Sequence, residues 1–210
     1  MNTDFALVGF GEVVPVVVID NAAHAHPLAD ALIAGELSCA EITLRTAAAV
    51  GTIRALARRD GFTVGAGTVK SAVDVAVSVE GGARFLVSPG FDADVLDAAR
   101  RATTAYVPGV ATATEVQRAM SAGVARLKLF PAQQLGGTAM IEALAGPFAG
   151  VSLMPSGGVD PSNAAAYLAI PSVFAISTSW IAPRALIAAG DFNEIRRRCA
   201  HFIAQARRPA

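Results

Sequence analysis

Lysine is scarce in this 210-residue sequence: of 17 basic side chains only Lys70 and Lys128 are lysines, and the rest are arginines. Chemistry that needs a primary amine therefore has two candidates. Charge as a whole is sparse, at 16% of residues against 53% hydrophobic, and the 17 basic and 17 acidic groups cancel. A balanced chain carries no field that steers it to nucleic acid or to an anionic membrane, so neither is expected as a partner. The clusters Arg196, Arg197, Arg198 and Arg207, Arg208 lie in a helix-like stretch with Asp191 and Glu194 and read as a solvated face. Cysteine is as scarce as lysine. Cys39 and Cys199 match no metal or redox spacing, which fits two reduced structural thiols in a cytoplasmic protein. The three histidines, His24, His26 and His201, have no carboxylate at ligand spacing, so neither a metal nor another cofactor is expected.

A secretory start is missing too, since Met1 to Phe10 has no cationic segment before its apolar residues. One uncharged stretch, Pro161 to Pro183, has the 23 residues of a membrane span. Pro161, Pro171 and Pro183, with Asn163 and several serines, break it at the spacing of loops, so no span is expected.

What the chain does contain is a repeat. Short β-rich runs alternate with alanine-rich stretches of helical period: Val13–Ile19, Cys39–Leu44, Thr63–Gly67, Phe85–Ser88, Thr104–Pro108, Arg126–Phe130, Ser152–Pro155 and Val173–Ser177. Their starts lie about 19 to 26 residues apart, room for a strand, a short loop and a three-turn helix. Eight such units without a break in composition predict one α/β domain over residues 1–210, a single (β/α)8 TIM barrel with a short N-terminal segment and a C-terminal helix. A doubly wound open sheet uses the same units and competes; the count of eight favours the barrel. Gly65-Ala66-Gly67, Pro89-Gly90, Pro108-Gly109 and Gly157-Gly158 read as turn chemistry after strands. Thr112 and Glu115 stand at capping-box spacing, and Asp160 reads as a helix N-cap with Pro161 in the first turn.

Parallel strands covered on both faces are normally apolar throughout. Two runs break that rule at alternate positions. In the second, Ala40, Ile42 and Leu44 share one face, and Cys39, Glu41, Thr43 and Arg45 the other. In the sixth, Leu127 and Leu129 oppose Arg126, Lys128 and Phe130. The apolar faces pack on helices, which sends Glu41, Arg45 and Lys128 towards the lumen. A buried ion-pair network that only fixes the barrel is one reading of them. The other is catalysis, because barrel enzymes work at the C-terminal ends of their strands, where these residues fall. Desolvation and a nearby cation both favour the neutral amine of a lysine, the form that attacks carbonyls. A carboxylate beside it can shuttle protons, and a guanidinium fork suits a substrate carboxylate. The set describes amine catalysis on a 2-keto acid. Lys70, after Gly67-Thr68-Val69, reads as an exposed residue at a helix start.

These residues resemble the 2-keto-3-deoxy-6-phosphogluconate (KDPG) and 4-hydroxy-2-oxoglutarate aldolase family of class I aldolases. The resemblance runs through Val14-Pro15-Val16, Glu41-Ile42-Thr43-Leu44-Arg45-Thr46, Gly65-Ala66-Gly67-Thr68-Val69, Ser88-Pro89-Gly90 and Pro108-Gly109-Val110. It continues through Leu127-Lys128-Leu129-Phe130-Pro131-Ala132 and Pro155-Ser156-Gly157-Gly158-Val159 to Ser179-Trp180. It implies Lys128 as the Schiff-base lysine and Glu41 as the general acid/base. Arg45 and Thr68 then hold the carboxylate of the pyruvate end, Pro89 and Phe130 line the pocket, and Ser156 stands near the C4 oxygen. For Thr68 a helix cap, for Pro89 a turn and for Phe130 plain core packing are the competing readings. Gly157, Gly158 and Ser179 are implied at a phosphate, but this chain reads Ser177-Thr178-Ser179-Trp180 where the family usually reads Gly-Gly-Ser-Trp. Side chains there are expected to occupy places where bare backbone would approach phosphate.

The resemblance implies metal-independent cleavage of KDPG to pyruvate and glyceraldehyde 3-phosphate by a cytoplasmic homotrimer whose partners are the 2-keto acid substrate and pyruvate. An unphosphorylated substrate such as 4-hydroxy-2-oxoglutarate is the alternative that the changed loop motivates. A non-catalytic sugar-phosphate-binding barrel, or an isomerase using Glu41 alone, would leave Lys128 without a chemical task.

Overall fold

The computed structural model describes residues 11–206, so the N-terminal segment Met1 to Phe10 and the pair Arg207, Arg208 lie outside the described residues. The strands are β1 (Val13–Val17), β2 (Cys39–Thr43), β3 (Thr63–Gly67), β4 (Phe85–Val87), β5 (Ala105–Val107), β6 (Gly109–Val110), β7 (Arg126–Leu129), β8 (Ser152–Pro155) and β9 (Ile176–Thr178). All pair in parallel, in the orders β5-β4-β3-β2-β1-β9 and β6-β7-β8. The two arcs are one ring. On one side the chain runs from β5 through Pro108 into β6, and on the other Leu153 bridges Val173 and Ser156 bridges Ser177. The result is a closed (β/α)8 barrel.

Two details depart from the sequence reading. The fifth run divides at Pro108, which has no N–H for the ladder, yet its carbonyl still accepts the Lys128 N–H at 2.8 Å and the strand resumes beyond it. The last strand forms at Ile176–Thr178, later than its apolar run, with Val173 in an isolated bridge to Leu153 and its N–H donating to Ile170 O at 2.9 Å.

Helices α1 (Ala25–Ala34), α2 (Ala49–Leu56), α3 (Ala72–Glu80), α4 (Ala93–Arg101), α5 (Ala113–Ser121), α6 (Thr138–Ala145), α7 (Ala164–Leu168), α8 (Arg184–Ala189) and α9 (Phe192–Ala206) surround the ring. Several starts are fixed by side chains accepting orphan N–H groups: Ser71 from Asp74, Asp92 from Val95, and the capping box of Thr112 with Glu115. Asp160 does not cap α7 directly. Its carboxylate accepts the N–H and hydroxyl of Ser162, closing a turn that holds Pro161 to Asn163 ahead of the helix. No helix among the described residues is long and apolar enough to cross a membrane.

Alternation along the strands separates two cores. Outward residues such as Ala40, Ile42, Leu86, Leu127 and Leu129 pack with Leu28, Ile53, Val95, Val116 and Phe202 from the helices. Inward residues Val14, Cys39, Phe85, Val87, Ala105, Val107, Met154 and Ala175 fill the lower lumen. The first glycines read as a turn belong to this floor. Gly65 lies inside β3, and a Cβ there would stand 2.1 Å from the Phe85 ring. Glycine is needed for the space it leaves, which a bulky aromatic occupies.

Candidate active site

Above that floor the lumen turns polar. Glu41 is the third residue of β2 and Lys128 the third of β7. Register carries the ring past both: Val16 pairs with Glu41, Glu41 with Gly65, Gly109 with Lys128 and Lys128 with Met154. Across the lumen Lys128 Nζ stands 3.4 Å from Glu41 Oε1, with residue exposures of 6% and 1%. Each charge alone would be costly at that depth, and the contact offsets part of the cost. Glu41 Oε2 is buried with no hydrogen-bond partner in the described structure. A buried, unpaired acceptor costs about 1–3 kcal/mol, and this oxygen has the capacity to accept a hydrogen bond from a group entering the cavity.

Gly67 makes the carboxylate's position possible. A Cβ at Gly67 would lie 2.1 Å from Glu41 Oε1, so any side chain would push the carboxylate aside. Thr43, one inward step beyond Glu41, donates its hydroxyl to Val17 O at 2.9 Å and ties β2 to β1 beside the pair. The Phe130 ring centroid lies 5.4 Å from Lys128 Nζ, within cation–π reach.

A cavity of about 190 Å³ opens above the pair at the C-terminal ends of the strands. Every residue given a catalytic or binding role in the sequence lines it: Lys128, Glu41, Arg45, Thr68, Pro89, Phe130, Ser156, Gly157, Gly158 and Ser179. Their depths differ. Glu41, Lys128 and Ser156 are buried, Thr68 and Gly157 half-buried, and Arg45, Pro89, Phe130, Gly158 and Ser179 exposed around the mouth. The expected co-burial of Arg45 with Glu41 and Lys128 is therefore corrected. β2 ends at Thr43, and Arg45 donates its N–H back to Thr43 O at 2.8 Å in a turn, so alternation stops before it. Its exposed side chain lines the rim of the cavity.

The competing reading of Thr68 as a helix cap is set aside because Ser71 caps α3. Thr68 instead holds φ of 59°, a strained conformation for a β-branched residue, at the wall of the cavity. Phe130 is 39% exposed and is not core. Lys70 is exposed, its N–H donating to Asp74 Oδ2 at 2.8 Å, and does not line the cavity. Among the described residues no group of three or more His, Cys, Asp or Glu side chains could hold a metal.

Val16, Val18, Thr43 and Val159 also line the cavity without having been given a site role, and Thr178 of the altered loop lines it too. Thr43 carried a usable signal, since it sits two residues from Glu41 on the same strand face. Of the two side chains in the altered loop, Ser177 and Thr178, only Thr178 lines the cavity. Ser177 is fully buried, its hydroxyl 3.3 Å from that of Ser156, while the Thr178 hydroxyl is directed at Val159 O, 2.6 Å away. A roomier hollow of about 520 Å³ at the opposite end of the barrel is lined by Glu12, Glu36 and Ile203 among others, with no lysine.

The chain matches the family model "Aldolase: KDPG and KHG aldolase" over residues 7–198. It is 41% identical over 197 residues to the 2-dehydro-3-deoxy-phosphogluconate aldolase of Pseudoalteromonas atlantica, covering 93% of this chain and 92% of the relative. Among solved structures it resembles the 2-keto-3-deoxy-6-phosphogluconate aldolase of Zymomonas mobilis with 3-phosphoglycerate, with a TM-score of 0.90, 37% identity, and coverage of 100% and 99% of the two chains. It also resembles KDPG aldolase from Legionella pneumophila with pyruvate captured as a covalent carbinolamine intermediate, with a TM-score of 0.86, 36% identity, and coverage of 90% and 92%. A barrel closed around one buried lysine–carboxylate pair, matched along nearly its whole length, places the chain in the KDPG and KHG aldolase family.

Proposed function

We propose that this protein is a class I aldolase that reversibly cleaves 2-keto-3-deoxy-6-phosphogluconate to pyruvate and glyceraldehyde 3-phosphate. The observation that carries the reading is the lumen pair: an amine 3.4 Å from a carboxylate whose second oxygen is unpartnered, at the base of a cavity open to one side. Arg45 and Thr68 take the substrate carboxylate, which brings the C2 carbonyl down to Lys128. The neutral amine adds to C2, Glu41 relays the protons that turn the carbinolamine into an iminium, and water leaves. The iminium draws in the electron pair of the C3–C4 bond while Glu41, through a water, removes the C4 hydroxyl proton. Glyceraldehyde 3-phosphate departs, the enamine is protonated at C3, and hydrolysis of the imine releases pyruvate and restores the amine. The iminium is the electron sink, so no step calls for a metal.

Pro89 and Phe130 wall the keto-acid end, Ser156 faces the C4 oxygen, and Gly157, Gly158 and Ser179 receive the phosphate. The positive φ angles of Gly157 and Gly158, 91° and 78°, support that assignment, because they give the loop a curvature that L side chains resist. The same family membership supports a homotrimer, which light scattering checks at three chain masses. Two buried free thiols, Cys39 and Cys199, support a cytoplasmic setting.

Borohydride reduction in the presence of pyruvate tests the chemistry. The expected product is a single adduct on Lys128 by mass mapping. An unmodified protein, or an adduct confined to Lys70, overturns the aldolase reading, and full activity in Lys128→Ala would point to isomerase chemistry on Glu41.

A further inference from the structure

One wall of the cavity is built from two loops, one following β8 and one following β9. Thr178, at the end of β9, is 2% exposed, and its hydroxyl makes two contacts. It donates its proton to Val159 O at 2.6 Å, across to the β8 loop, and accepts the Trp180 N–H at 3.1 Å within its own loop. A hydroxyl has one proton to give, so this one has none left for a substrate. Trp180 is held from its other side as well. Arg198 of α9 donates to Trp180 O at 2.9 Å and lies 4.7 Å over the indole ring. The β8 loop is tied down in parallel, with Gly157 O accepting the Gln133 N–H at 3.0 Å and Gly158 O accepting from Asn163 Nδ2 at 2.9 Å. Between these fastenings only Gly158 and Ser179 are exposed at the mouth, and each is the immediate neighbour of a residue that Thr178 joins.

From this we infer that Thr178 is a positioning residue that sets the gap between Gly158 and Ser179, and with it the fit of the substrate's distal phosphate. The inference rests on the phosphorylated-substrate reading above. Donors that stabilise an anion do so best when their spacing is fixed before it arrives. Replacing Thr178 by valine keeps the shape, deletes the hydroxyl, and leaves Val159 O and the Trp180 N–H without their partner, so the two loops can part. Lys128 and Glu41 are held by β7 and β2 and keep their geometry.

The test compares wild type, Thr178→Val and Thr178→Ser on 2-keto-3-deoxy-6-phosphogluconate and on unphosphorylated 4-hydroxy-2-oxoglutarate. Borohydride trapping of pyruvate on Lys128 reports that each variant is folded with its keto-acid pocket intact. In Thr178→Val the ratio of kcat/KM for the phosphorylated over the unphosphorylated substrate is expected to fall roughly tenfold, mainly through KM, as a shifted binding contact predicts. Thr178→Ser restores the ratio, because it returns the hydroxyl. An unchanged ratio in Thr178→Val, or an equal loss on both substrates, overturns the inference and leaves the proposed reaction standing. A wild-type enzyme with no preference for the phosphorylated substrate overturns the phosphate reading and the inference with it.

Discussion

Glu41 meets Lys128 through one oxygen only: Oε1 lies 3.4 Å from Nζ, while Oε2 is buried and unpaired. In the proposed reaction the carboxylate is thus divided between holding the amine and receiving a proton. Glu41→Gln preserves an acceptor for Lys128 and removes the proton-carrying oxygen. Its kcat is expected to fall by about 10² to 10⁴, the usual worth of a general acid/base. Steady-state kinetics with slow borohydride trapping on Lys128 checks this, and a kcat within a few-fold of wild type would remove Glu41 from the chemistry.

Gly67→Ala probes the same oxygen from behind. Its Cβ would sit 2.1 Å from Glu41 Oε1, so the carboxylate must swing away from Nζ. We expect a loss of about 1–3 kcal/mol of stability from overpacking. Activity should drop by at least tenfold, since misplacing a reacting group by about 1 Å costs on that scale. Denaturant melts and kcat together separate the two effects, and a fully active Gly67→Ala protein would contradict the geometry.

Alkaline pH should unfold the protein through three buried acids. Burial pushes the Cys199 thiol and the Tyr106 phenol each up to about 12, and the Cys39 thiol in the same direction. In the unfolded chain these groups ionise near 9.0 for the thiols and 10.0 for the phenol. The unfolded state therefore holds fewer protons above about pH 9, and stability declines from there towards pH 12 while these groups contribute no slope near neutrality. Denaturation midpoints between pH 7 and 11 check it. A thiol reagent at pH 8 should leave both cysteines unmodified until denaturant is added.

Much of this site was legible in the chain because its signals are local. Strand alternation placed Glu41 and Lys128 in the lumen, and Thr112 and Glu115 at a helix start, since each depends only on neighbours a few residues away. What lay beyond reach depends on where a strand stops and what crosses to meet it. Arg45 left the lumen because β2 ends at Thr43, two residues before it, Gly65 served Phe85 on the next strand, and Thr178 found its acceptor on a different loop. No periodicity records those meetings. The two lysines are told apart in the sequence by a helix start and a strand face, and the structure adds the depth that separates them: Lys70 is exposed and Lys128 is buried at the base of the cavity.

The packed floor of Val14, Cys39, Phe85 and Met154 gives the reaction an order in time. A blind shaft has one exit, and in the proposed reaction the keto-acid fragment is tethered at its lower end while the aldehyde lies nearer the rim. The aldehyde must depart before the pyruvate can, and in the synthetic direction pyruvate must load first. Excess aldehyde in an empty shaft would then act as a stopper, so inhibition by aldehyde competitive with pyruvate is the kinetic trace that this plug of side chains should leave.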